Sequence, residues 1–166
     1  MKENDSRLLF APGTVQPPAD PPLIIADGLR TPENVGSLVR LAANIGITKV
    51  VLLNSPELKV SKMRKTACMA WDYVEVVRMK ADELKLPEGY EMVAVETSPT
   101  ARNIYSGTLP RKVALVLGSE VHGVSAEVLT KCAQQVYIPM TGPDTSMNVT
   151  HAAAVALFEW VREWVN

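Results

Sequence analysis

Short, continuous hydrophobic runs alternate along the chain with longer periodic stretches, and this alternation predicts the architecture. Leu23–Ala26, Lys49–Leu53, Met92–Val95 and Val113–Leu117 are apolar at nearly every position. Runs of this kind predict strands covered on both faces, as in a parallel sheet. Asn34–Ile45 predicts a helix entered through Pro32 and Glu33 and stopped by Gly46. Val60–Trp71 predicts a second helix and Ser125–Lys131 a short third. Tyr73–Val77 alternates as a strand, Asp82–Leu86 predicts a helical turn, and Gln135–Ile138 predicts a last strand that breaks at Pro139. The final helix enters through Ser146-Met147-Asn148 and runs to Trp164, with Val149, Ala152, Ala153, Ala156, Leu157 and Trp160 on its apolar side. Strands alternating with helices predict an α/β fold, a parallel sheet with helices on both faces. Residues 1–22 end in a proline-dense segment, Gln16–Pro22, which reads as a stiff extended arm; residues 23–166 form one domain.

Composition narrows the function classes. A chain of 166 residues can bury a proper core. Charged residues are 21% and the net charge is −1, so a nucleic-acid partner would need a local basic patch. Cys68 and Cys132 lie far apart without metal-ligand spacing, and with only His122 and His151 beside them a zinc site is not expected. Both cysteines read as free buried thiols. The N-terminus carries no apolar signal region and no run reaches membrane-spanning length, so the chain reads as soluble and cytoplasmic.

Candidate chemistry collects in loops that follow the predicted strands, where open α/β sheets bind ligands. After the first strand, Glu33, Ser37, Arg40 and Asn44 form one polar helical stripe, which a solvated face also explains, and Asn34 reads as a cap. After Val113–Leu117, the glycines of Gly118-Ser119-Glu120-Val121-His122-Gly123 allow close backbone approach to a ligand. Val124-Ser125 stands where a P-loop requires Lys-[Ser/Thr], which removes a triphosphate cradle, and Ser119 lacks the Gly-x-Ser-x-Gly context of a hydrolase. The third loop, Thr141–Thr145, leads to Ser146 and Asn148 at the mouth of the last helix. An ordinary capped helix and a polar ligand site both fit it.

Taken in order, Asn34-Val-Gly36-Ser-Leu-Val-Arg40, Leu117-Gly118-Ser119-Glu120, and Ile138-Pro139-Met140 through Ser146-Met147-Asn148-Val149 resemble the three motifs of the SpoU (TrmH) class of SPOUT RNA methyltransferases. The resemblance covers roughly residues 23–164. It implies a Rossmann-like, mostly parallel sheet flanked by helices, with a C-terminal deep trefoil knot, a rare exception to unthreaded topology. It implies S-adenosylmethionine held by Thr97, Leu117, Gly118, Ser119, Ile138, Pro139, Met140 and Met147, and a homodimer formed through the last helix, with Phe158, Trp160 and Trp164 more apolar than one core face needs. The implied reaction is methylation of a ribose 2′-hydroxyl in tRNA or rRNA, without a metal. The resemblance further implies that Arg40 positions the nucleophile and serves in its deprotonation, supported by Asn34, Glu120, Ser146 and Asn148. Arginine's very high pKa makes it an awkward base without a phosphate or substrate relay. RNA would lie over Arg40, Arg30, Lys62, Arg64 and Lys65, with Lys59 nearby. Two other readings share this scaffold: a non-catalytic RNA- or nucleotide-binding domain, and a base-directed RNA methyltransferase.

Overall fold

A computed structural model describes residues 17–165. Seven strands form one sheet: β1 Leu23–Asp27, β2 Lys49–Leu53, β3 Glu75–Met79, β4 Glu91–Val95, β5 Arg102–Asn103, β6 Val113–Leu117 and β7 Gln134–Tyr137. The helices are α1 Pro32–Asn44, α2 Val60–Ala67, α3 Ala126–Leu129 and α4 Val149–Trp164. The strand order is β3-β2-β1-β6-β4-β7-β5, and every pairing is parallel. All the strands therefore end at one edge of the sheet.

The apolar runs behave as expected of two-sided strands. Ile24, Ala26, Val50, Leu52, Val93, Leu115 and Leu117 face α1, α2 and α4 in the larger core. Their neighbours Ile25, Val51, Leu53, Met92, Ala94, Ala114 and Val116 face α3 and the turn near Ala81. Side chains alternate along each strand, so a run with no polar member needs cover on both faces. On the α4 side, Ala153 and Ala156 are fully buried and admit the close approach that bulkier residues would prevent.

Several expectations need correction. The second helix ends at Ala67 rather than Trp71, because Cys68 takes a left-handed φ of 55° and the chain continues as a 3₁₀ turn over Cys68–Asp72. That turn leaves Cys68 exposed, not buried, while Cys132 is half-buried. Asp82–Leu86 forms no helix; the chain makes a turn in which Glu83 accepts a 2.8 Å hydrogen bond from the Lys80 N–H. Trp160 is a core residue, 1% exposed, whose indole N–H donates to the Arg111 carbonyl at 3.0 Å. Of the proline arm, residues 1–16 lie outside the described residues. Pro17–Pro22 pack on the domain: Tyr90 donates its hydroxyl proton to the Pro21 carbonyl at 2.8 Å, and Lys112 pairs with Asp20 at 3.5 Å.

Candidate functional site

Three strand ends and the start of α4 converge on one cavity of about 250 Å³. Its walls are Val95, Glu96 and Thr97 after β4, Leu117–Val121 and Gly123 after β6, and Tyr137, Ile138 and Met140 after β7. Thr145, Ser146, Met147, Val149 and Ala152 close it from the loop and first turns of α4. Among the residues expected to hold a cofactor, Thr97, Leu117, Gly118, Ser119, Ile138, Met140 and Met147 line this cavity; Pro139 does not.

The loop after β6 is tightly made. Ser119 and Gly123 exchange backbone hydrogen bonds of 2.9 and 3.1 Å, so residues 120–122 project as a short tip. Gly118 is required for a reason other than ligand approach: a Cβ there would overlap the backbone of Gly123 and Val124. Gly28, at φ 69°, lies against Ser119 and brings the β1 loop beside the β6 loop.

A chain of side-chain hydrogen bonds then ties together three segments distant in sequence. The Asn34 amide donates to Glu120 Oε1 at 2.8 Å, and the Asn148 amide donates to Asn34 Oδ1 at 3.3 Å. The backbone N–H of Arg30 donates to the other Glu120 oxygen at 3.3 Å. Asn148 is also the N-cap of α4, accepting from the Thr150 N–H at 2.8 Å and from its hydroxyl at 2.6 Å. Partial burial would raise the pKa of the Glu120 carboxyl, but donors from Asn34, Thr31 and Arg30 outweigh it and hold the group below the ordinary glutamate range. Glu120 is therefore an ionised acceptor at neutral pH. Ser146 stands apart from this chain, bonding among the described residues to Asp144 through its N–H at 3.1 Å and its hydroxyl at 3.2 Å.

Arg40 lies further along α1, exposed and outside the cavity lining. It lies six positions beyond Asn34, about 9 Å of helix rise. Gly36, between them, lets α1 sit on α2: a Cβ there would overlap the Met63 carbonyl oxygen and come within 2.7 Å of Thr66 Cβ. The packing places the basic residues of α2 beside α1, where Lys62 pairs with Glu33 at 3.1 Å. Arg64 pairs with Asp72 at 3.4 Å. Lys62 and Arg64 are thus partly neutralised, while Arg30 and Lys65 are exposed.

Sequence reasoning missed Glu96, at the end of β4, which accepts the N–H of Thr97 at 3.0 Å and that of Val124 at 2.8 Å. Its signal was a carboxylate directly after a buried run, indistinguishable in sequence from a solvated turn.

Fold and site together define a class: a parallel α/β domain whose strand-end cavity is built from loops after three strands and the start of the last helix rather than from a glycine-rich phosphate turn. The chain matches the SpoU rRNA methylase family over residues 21–158, and it belongs to that family. It is 32% identical over 154 residues to the 23S rRNA (guanosine-2'-O-)-methyltransferase RlmB of Pasteurella multocida, covering 90% of this chain and 63% of that protein. The chain thus spans less than two thirds of the length of that relative. A putative RNA methyltransferase of the TrmH family from Porphyromonas gingivalis superposes with a TM-score of 0.74 at 27% identity, covering 92% of this chain and 63% of that one. An AdoMet-bound rRNA methyltransferase from Sinorhizobium meliloti superposes with a TM-score of 0.80 at 19% identity, covering 92% of this chain and 60% of that one, a likeness of fold.

Proposed function

We propose that this protein methylates a ribose 2′-hydroxyl of RNA with S-adenosylmethionine as donor. The observation that carries the reading is the Glu120–Asn34–Asn148 chain, which joins the three family motifs beside one cavity. The cavity's chemistry suits the donor. Leu117, Ile138, Met140 and Met147 offer apolar walls for an adenine ring, and two carboxylates face a ligand that carries a positive sulfonium. When bound, the donor supplies an activated methyl group.

The protein's own task is alignment and proton handling, because methyl displacement is in-line and a ribose hydroxyl is a weak nucleophile. Arg40 is the positioning group. Its exposed guanidinium meets an RNA phosphate and orders the hydroxyl and its proton acceptor, with the proton leaving through the phosphate or substrate rather than resting on arginine. Asn34, Glu120 and Asn148 hold the start of α1, the β6 loop and the start of α4 in one arrangement, so that Arg40 and the cavity keep their relative placement. Ser146 shapes the approach to α4 through Asp144. Arg30, Lys62, Arg64 and Lys65 extend the RNA surface from Arg40, with Arg30, Arg40 and Lys65 the stronger contributors because salt bridges already occupy the other two.

The same reading threads the C-terminal segment into a trefoil knot, supported by a strand order in which the later strands β6 and β7 insert between earlier ones. It makes the protein a homodimer through α4, where Phe158 is 51% and Trp164 38% exposed. It places the protein in the cytoplasm with its RNA; no helix among the described residues is long and apolar enough to cross a membrane. The curated relatives act on guanosine in 23S rRNA, which makes rRNA the first substrate to test. Mapping 2′-O-methylation across total RNA from cells with and without the protein checks the proposal. It expects at least one ribose methyl to vanish, and an unchanged map contradicts it.

A further inference from the structure

The cavity at the strand ends has an unusual electrostatic make-up. Among the described residues, its lining includes two charged side chains, Glu96 and Glu120, and no Lys, Arg or His. Glu120 is engaged by Asn34 and the Arg30 N–H on the α1 side. Glu96 lies at the opposite corner, where β4 and β6 end side by side.

Two observations define what Glu96 does there. Its Oε1 accepts the Thr97 N–H of its own loop at 3.0 Å, and its Oε2 accepts the Val124 N–H at 2.8 Å from the far end of the β6 loop. The carboxylate also fills the space over Gly123, whose φ is 67°; a Cβ at that residue would overlap Glu96 Oε2. A left-handed glycine and a long acid are thus fitted to each other. The arrangement clamps two walls of the cavity together and leaves a negative charge among them that no cation of the lining balances.

Resting on the cofactor reading above, we propose that Glu96 is a positioning and selectivity residue. It fixes the β4–β6 corner of the pocket and favours the sulfonium ligand over the neutral thioether that remains once the methyl is gone. In the transfer, the sulfur keeps the electron pair of the broken C–S bond and loses its positive charge, while the methyl forms its new bond to the ribose oxygen, whose proton leaves to the phosphate or substrate acceptor. The two ligands differ by that methyl and that charge, so most contacts cancel when their affinities are compared. What survives is the interaction of the charge with nearby carboxylates, which in a partly dry cavity stays significant over several ångströms. A site with this bias holds the donor and releases the spent product.

Titration calorimetry with S-adenosylmethionine, S-adenosylhomocysteine and the cationic analogue sinefungin separates this role from a purely structural one. Glu96→Gln removes the charge and sets an amide against one of the two N–H donors, so both ligand types bind more weakly. The proposal further requires the preference for cationic over neutral ligand to fall, by roughly tenfold for a lost charge contact of this kind. Glu96→Asp keeps the charge but shortens the reach; it weakens all three ligands and preserves the preference. An unchanged preference in Glu96→Gln overturns the proposal and leaves Glu96 a structural clamp. Should that variant not fold, the wild type decides: sinefungin must bind more tightly than S-adenosylhomocysteine, and the reverse order overturns the proposal. Wild-type protein that binds none of the three overturns the cofactor reading itself, a result distinct from an unchanged preference.

Discussion

Two cavities of the molecule make an instructive contrast. The larger, about 440 Å³, lies at the β3 edge under α2 and is lined by Leu52, Leu58, Val60, Met63, Trp71 and Val76 among others. The smaller, at the strand ends, has half that volume or a little more, yet four separate segments of chain reach it. The β3-edge groove is built from residues 52–78, one contiguous stretch, and holds charges such as Glu57, Glu75 and Arg78 at its rim. The strand-end cavity joins residues more than 100 positions apart through side chains, Asn148 to Asn34 being the longest link. Volume measures how imperfectly a sheet edge is covered. Convergence of polar side chains from remote segments costs conformational entropy that packing alone does not demand, and so marks a site.

The sharpest way to break this contrast is Arg40→Ala. Arg40 lines neither cavity, so cofactor affinity should be unchanged, while methyl transfer falls by at least about a hundredfold if arginine orders the nucleophile and its proton. Single-turnover assays with calorimetry on the same variant read both quantities, and retained turnover removes Arg40 from the mechanism. Next in size is an overpacking test. Gly36→Ala should destabilise the fold by about 1–3 kcal/mol in urea titrations despite alanine's better helix propensity, because the added methyl meets the Met63 carbonyl oxygen. A more stable variant would mean that α1 and α2 pack less closely than described.

A smaller effect compares the cavities directly. Asn34→Ala and Glu120→Ala should be non-additive in cofactor affinity by about 1 kcal/mol in a double-mutant cycle. Val60→Arg, at the 56% exposed rim of the β3-edge groove, should leave affinity unchanged. Equal effects from both would erase the distinction. The smallest effects concern protonation. Because the folded Glu120 pKa lies below its ordinary 4.5, its contribution to stability is complete above that value and fades only as pH falls through the folded pKa. Stability between pH 7 and pH 5 should therefore match between wild type and Glu120→Gln in shape, diverging below. Burial, with the nearby Asp27 carboxylate, pushes the Cys132 thiol up to about 11, so thiol reagents at pH 8 should label exposed Cys68 quickly and Cys132 slowly. Fast labelling of both would place Cys132 in solvent.

What could be read from the sequence followed the strength of each local signal. β2 and β6 run over the same residues as their apolar runs, and β1 and β4 differ from theirs by one residue, since two-sided burial keeps the strand interiors apolar and polar residues such as Lys49, Asp27 and Glu91 fall only at the ends. β5 was invisible: Arg102 and Asn103 carry no hydrophobic pattern, and their pairing with β7 depends on what surrounds them. The end of α2 was misjudged because nothing in Ala67-Cys68-Met69 announces a left-handed residue. At the site, the three motifs identified the loops, but not their internal reasons. Gly118 and Gly123 looked like room for a ligand, whereas the first makes room for backbone and the second for the Glu96 carboxylate. Such reasons depend on pairs of residues from different loops, and only folding brings those together.

The central claim is that the strand-end cavity delivers a methyl group to RNA ribose. Purified protein incubated with methyl-labelled S-adenosylmethionine and total RNA from cells lacking it, followed by digestion to nucleosides, tests this most directly. The account predicts label in a 2′-O-methylated nucleoside, abolished by Arg40→Ala. Label confined to a methylated base, or no label despite measurable cofactor binding, would contradict it.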